Sequence, residues 1–150
     1  MTDSDPADVR GTGMDEAAVE EALTEFGHGT LALTWGSEAY GVPVSFGYDG
    51  ERVFCYLIQF GDRSRKLEFA AETDRATLTA YRAASPTEWQ SVIASGPLVA
   101  LPESDVEHME RVMDDNAWFP TIFPSAEPMQ GLERFALEVE EVTGRVGGRP

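Results

Sequence analysis

The tetrapeptide Arg63-Ser64-Arg65-Lys66 holds three of the 11 lysines and arginines in a chain with 27 aspartates and glutamates, and its lysine is the only one. It follows an apolar stretch, residues 53–60, and opens a helix-like one, Leu67-Glu68-Phe69-Ala70-Ala71. A helix start is the positive end of the helix dipole, where cations are disfavoured. Cations make sense there when an anion sits among them, held by backbone N–H groups, a serine hydroxyl and the positive side chains. The run therefore reads in two ways: as a phosphate clamp, or as a solvated basic turn that relieves crowding in an acidic protein.

Little else in the sequence nominates chemistry. His28 and His108 are far apart and in no metal-ligand spacing, so a metal site is not expected. Cys55, the only cysteine, lies in an apolar run and reads as a small core residue rather than a nucleophile. No G-x-S-x-G, Walker A or G-x-G-x-x-G pattern is present. Carboxylates are so abundant that no pair of them stands out as general acid and base. A bound redox cofactor that brings its own chemistry fits this pattern.

The frame that must position these residues is one domain, since 150 residues suit a single core. The net charge of −16 argues against nucleic acid and anionic membranes as partners. At molar salt the screening length falls to about 3 Å. So many acids with one lysine match the composition of proteins from salt-loving microbes; an ordinary acidic protein is the alternative. No apolar run approaches the roughly 20 residues that span a bilayer. The first residues carry no secretory h-region, and with a single cysteine the expected location is cytoplasmic.

Residues 1–13 read as a flexible acidic tail, 14–145 as the domain and 146–150 as a fraying end. Asp15 can cap a helix with Val19, Leu23 and Phe26 on one face, stopped by Gly27-His28-Gly29. Leu31, Leu33 and Trp35 alternate as in a strand. Over residues 40–48, Tyr40, Val42, Val44, Phe46 and Tyr48 point one way, and Gly41, Pro43, Ser45 and Gly47 the other. A strand face of small residues invites a flat ligand or another backbone. Asp49-Gly50 is a hairpin turn. Residues 53–60 are apolar on both faces, which predicts a barrel strand also covered from outside and, with it, a homodimer. A short helix is expected over 65–72, then strands around Ala76–Leu78–Ala80 and from Trp89 to Leu101, the latter interrupted at Gly96-Pro97. A second sizeable helix starts after Pro102, carrying Val106, Met109 and Met113, and one last strand holds Phe135, Leu137, Val139 and Val142. Trp118, Phe119 and Phe123 stand in a proline-punctuated loop, readable as an interface or as a pocket roof. Trp89 reads as a core or interface aromatic. The expected fold is mainly β (α+β), a six-stranded antiparallel barrel with flanking helices.

The series Gly29-Thr30-Leu31-Ala32-Leu33, Tyr40-Gly41-Val42-Pro43-Val44-Ser45-Phe46, Asp49-Gly50, Ser64-Arg65-Lys66, Trp89-Gln90-Ser91-Val92 and Gly96 resembles the pyridoxamine 5′-phosphate oxidase-like FMN-binding split barrels. The resemblance implies a six-stranded split β-barrel, usually a homodimer with two FMN sites at the interface. It implies that Pro43, Val44, Ser45 and Phe46 lie against the flavin ring and that Tyr56 and Leu57 also touch it. Ser64, Arg65 and Lys66, with Arg63 beside them, would hold the phosphate, and Gln90 and Ser91 would add polar contacts. The implied function is an oxidoreductase passing electrons from a reduced nicotinamide to a small acceptor. The alternatives are a non-catalytic flavin-binding or sensing protein, or a relative using F420 or haem. The chain lacks the C-terminal Arg-x-His of true pyridoxamine-phosphate oxidases and the histidine that nitroimidazole-reductase-like members often carry on the strand before the clamp. The resemblance thus supports the cofactor more than any substrate.

Overall fold

The structure, a computed structural model, describes residues 11–60, 64–116 and 129–148. Asp15 begins helix α1 (Glu16–Phe26) by accepting a hydrogen bond from the Ala18 N–H at 2.8 Å, and Gly27 ends it at a φ of 67° that favours glycine. Strands β2 (His28–Trp35), β3 (Glu38–Tyr48) and β4 (Arg52–Phe60) follow as a meander. Helix α2 (Arg65–Glu72) leads to β5 (Arg75–Ser85) and β6 (Glu88–Ala100). A 3-10 turn (Glu103–Asp105) runs into helix α3 (Val106–Asn116), and β7 (Met129–Glu138) and β8 (Glu141–Val146) complete the chain.

All pairings are antiparallel, in the order β6-β5-β2-β3-β4-β7, and β7 pairs back onto β6 to close six strands into a barrel. The split lies in β6. One of its edges holds β5 over Glu88–Pro97; the other holds β8 over Gln90–Ser95 and β7 over Leu98–Ala100. The partner changes at Gly96-Pro97, where a Cβ on Gly96 would overlap the Glu138 carbonyl oxygen. The expected interruption of this strand is therefore a change of neighbour within a continuous strand. The expected last strand is two strands, parted where the Val139 N–H donates to Glu51 O and the Glu140 N–H to Ser95 O. Thr12 and Gly13, assigned by sequence to the tail, form a short β1 on β8, paired with Val146 and Arg145.

Strand alternation turns Leu31, Leu33, Val42, Val44, Phe46, Val53, Cys55, Leu57, Leu78, Val92 and Leu137 into the barrel. Val19, Leu23 and Phe26 of α1 and Phe69 and Ala70 of α2 join the same core. Phe69 packs on Tyr40 at 5.2 Å, so α2 covers the end of the barrel where β3 begins. Helix α3 lies outside the wall. Met109 and Met113 bury Phe54 and Ala136 in a separate small core, as their i, i+4 spacing on one helix face allows. The outer face of residues 53–60 is thus covered at Phe54 by this chain's own helix, where the sequence suggested a second copy.

Candidate functional site

Alternation decides which of the expected site residues can present a side chain. Val44, Phe46 and Leu57 point into the core and are almost fully buried, so only their backbone faces outward. Pro43 is exposed and Ser45 half-buried on the outer face of β3, where the Ser45 hydroxyl donates to Gly27 O at 3.3 Å. Tyr56 lies on the outer face of β4, opposite Arg134 of β7, whose guanidinium stands 5.8 Å from the Tyr56 ring. Burial pushes the Tyr56 hydroxyl above its usual range, with the nearby Glu110 and Asp114 adding to the rise and Arg134 opposing it. The phenol therefore stays protonated at neutral pH, as a hydrogen-bond donor.

The small-residue face of β3 divides in two. At Gly47 it is closed by α3: a Cβ there would come within 2.9 Å of the Val112 carbonyl oxygen. The Tyr48 N–H donates to Asn116 Oδ1 at 3.1 Å, and His108 Nε2 lies 2.9 Å from Asp49 Oδ2. Gly41 and Pro43, by contrast, are exposed.

The basic run opens α2 as expected. Ser64 is its cap; the hydroxyl oxygen accepts from the Leu67 N–H at 3.4 Å, leaving its hydrogen able to donate to an anion. The Arg65 guanidinium lies over Tyr40 (5.6 Å) and Phe69 (5.2 Å) and 3.7 Å from Glu38 Oε1. Lys66 occupies the first turn of α2. Arg63 lies outside the described residues, as do Trp118, Phe119 and Phe123.

Gln90 and Ser91 lie on β6, separated from β3 by β2 and β5. Ser91 pairs with Tyr81 and Arg145, and by alternation with the buried Val92 it lies on the outer face, as Ser45 does beside the buried Val44 and Phe46. Three strand spacings make about 14 Å between them. Gln90 faces the other side, where its Oε1 accepts from Arg82 Nε at 3.1 Å and Arg82 lies over Phe26 of α1. One chain therefore brings Pro43, Ser45, Tyr56 and the start of α2 to one region, without Gln90 or Ser91.

Several other groups are accounted for by packing. Cys55 is buried, and burial pushes its thiol up to about 12, which makes it inert as a nucleophile. Trp89 donates from Nε1 to Pro86 O at 3.1 Å and is overlaid by Gly11 and Gly147, which flank β1 and β8 at one edge of the sheet. Two open hollows, of about 550 and 410 Å³, flank the turn at Gly50; Glu16, Glu51, Glu138 and Glu140 outnumber Arg52 in one, and Glu20, Asp49 and Asp115 outnumber His108 in the other, an excess of carboxylates that disfavours phosphate. Arg134 had no signal in the chain: a lone arginine between Glu133 and Phe135 stands out only when the β4–β7 register places it opposite Tyr56.

A closed six-stranded antiparallel barrel whose sixth strand splits one edge between two partners is the pyridoxamine-phosphate-oxidase-like split barrel. The sequence pattern of the pyridoxamine 5′-phosphate oxidase family matches residues 15–146, and the chain belongs to that family. An uncharacterized protein of Rhizobium meliloti (strain 1021) is 25% identical over 126 residues, covering 77% of this chain and 81% of the relative. The FAD-binding protein of Mesorhizobium loti has the same fold, with a TM-score of 0.68 at 20% identity over 89% of this chain and 96% of that one. So does the FAD-binding protein of Mycobacterium smegmatis, with a TM-score of 0.68 at 15% identity over 93% of this chain and all (100%) of that one.

Proposed function

We propose that this protein binds a flavin through its FMN portion, at a site shared between two copies of the chain, and uses it to pass electrons from a reduced nicotinamide to a small acceptor. One observation carries the reading: the strand whose outer face bears the exposed Gly41 and Pro43 also meets, through the core-side ring of Tyr40 at the end of the barrel, the cation-bearing start of α2. Arg65 stacks on Tyr40, three residues before Pro43 and so about 10 Å along the strand, within the reach of a ribityl chain. Ser64, Arg65, Lys66 and the first turn of α2 would hold the phosphate. The flavin ring would lie on the backbone of residues 43–46 and 56–57, with Pro43, Ser45 and the protonated Tyr56 as side-chain contacts. The flavin supplies the redox chemistry; these residues bind it, orient it and exclude water. The two FAD-binding proteins of the same fold support a flavin, and FMN is the half that FAD contains.

The contact that the resemblance implies for Ser91 supports the shared site. About 14 Å separates Ser91 from Ser45 in one chain, too far for both to touch one ring edge. A two-fold partner seated on the outer face of β2, β5, β6 and β8 would bring its Ser91 to this site. On that face Tyr81 and Ile93 are exposed large side chains, as an unpartnered interface would leave them.

The first test is the absorption spectrum of the purified protein, which also separates FMN or FAD from F420 and haem. Lys66→Ala is expected to weaken FMN by about 1–3 kcal/mol, the loss of a charge-assisted contact, and to leave riboflavin unaffected. Equal losses for both ligands would remove the phosphate clamp. Yellow protein that oxidises neither NADH nor NADPH with common acceptors would mark a binding or sensing protein instead. A monomer in light scattering at micromolar concentration would remove the shared site. With a charge of −16, the cofactor-free fold should gain from screening; circular dichroism unchanged from dilute buffer to molar salt would mark an ordinary acidic protein.

A further inference from the structure

Trp35 is 48% exposed, yet it is held in place. It ends β2, and its ring meets the buried Phe69 of α2 edge-on at 5.7 Å and 84°. It also lies off the sheet face assigned above to a second copy: Thr34 shares the outward side with Ala32 and Thr30, and Trp35 follows the opposite alternation at the end of the barrel that α2 covers. Across the hairpin Trp35 pairs with Glu38, Glu38 Oε1 lies 3.7 Å from Arg65, and Arg65 follows the Ser64 cap. A stepwise path thus runs outward from the proposed phosphate site, through the exposed Arg65 and Glu38, to a half-exposed indole paired with Glu38 across the hairpin.

We propose that this path is a second subsite that receives the adenosine 5′-phosphate half of a flavin dinucleotide, and that the preferred ligand is FAD. The inference rests on the flavin reading above. Trp35 stacks on the adenine, an interaction open to any base with a π face. Arg65, whose side chain is exposed, turns from Glu38 to the second phosphate while keeping its stack on Tyr40 and Phe69. Glu38, released from that pair, accepts from the ribose hydroxyls. A purine nucleotide suits this path better than an apolar partner because the indole stands beside a cation and a carboxylate. An apolar docking segment would strip water from the Arg65–Glu38 pair and offer it no hydrogen bond in return.

The test compares FAD, FMN and ADP binding by fluorescence titration of protein stripped of any bound cofactor, for the wild type, Trp35→Leu and Trp35→Phe, with circular dichroism confirming each fold. Trp35→Leu keeps an apolar contact to Phe69 and removes the stacking ring. Wild type is expected to bind FAD about tenfold more tightly than FMN, the size of one base stack. Trp35→Leu should bring FAD down to the FMN level with FMN unchanged, Trp35→Phe should retain part of the difference, and ADP should compete with FAD in the wild type alone. Equal FAD and FMN affinity in the wild type, or equal losses for both in Trp35→Leu, would overturn the subsite while leaving the flavin site standing. A Trp35→Leu protein that dissociates in light scattering with its FAD preference intact would show that a second copy covers the indole, overturning the subsite. Failure of both flavins to bind the folded wild type would overturn the flavin reading and this inference together.

Discussion

The two ends of the outer face of β3 carry the same small-residue alternation and meet different fates. At Gly47 the face accepts a helix: Val112 seats its backbone against the glycine, Asn116 takes the Tyr48 N–H, and His108 reaches Asp49. At Gly41 and Pro43 the face is exposed. Small residues therefore do not by themselves mark a ligand face; they mark a place where something comes close. At one end that something is α3, and at the other the proposal is a flavin.

The contrast can be broken most sharply at the docked end. Met113, fully buried, holds α3 on Phe54, and Met113→Ala is expected to cost about 2–5 kcal/mol in a denaturant melt. If the loss stayed below about 1 kcal/mol, α3 would be loosely seated and the two ends less different than described. Gly47→Ala should cost about 1–3 kcal/mol by overpacking against Val112, whereas Gly41→Ala, whose new methyl group would meet only Thr30 Cγ2 at 3.4 Å, should stay within about 0.5 kcal/mol. Similar losses at both glycines would erase the contrast.

The turn beside the docked end gives a smaller, pH-dependent effect. Burial raises the Asp49 carboxyl, but hydrogen bonds from His108 and from the Arg52 and Glu51 N–H groups outweigh it and leave the carboxyl below its ordinary range. A depressed folded-state value means stability that is present above the unfolded value of about 4 and lost as pH falls through the folded one. Asp49→Ala should therefore cost about 1 kcal/mol at pH 7, and the gap between variant and wild type should narrow below pH 4. A gap that stays constant down to pH 2 would assign the loss to packing alone.

Much of this contrast could be read from the chain. Asp15, Gly27 and the 40–48 alternation announce α1 and β3 because caps, left-handed stops and strand period are local properties. The cation-rich start of α2 was equally visible. Residues 53–60 showed that both faces are covered but not by what. Only the packing of Met109 and Met113 on Phe54 reveals that α3 covers one of them. Gly96-Pro97 read as an interruption because its reason lies on another strand, the Glu138 carbonyl. The path from Ser64 to Trp35 was hidden for a related cause: residues 35, 38 and 65 meet only after a hairpin and a helix have docked.

The split edge of β6 has a consequence for how this chain folds. β4 finds β7 about eighty positions later in the chain, as in the Cys55–Phe135 pair, and β6 must then serve both β7 and β8. Neither half of the barrel can finish its hydrogen-bond ladder without the other, because one strand supplies an edge to both. Most pairings are also far apart in sequence, which predicts slow folding for a domain of this size. A protein wired this way should melt in a single step and, once folded, resist local opening around Gly96.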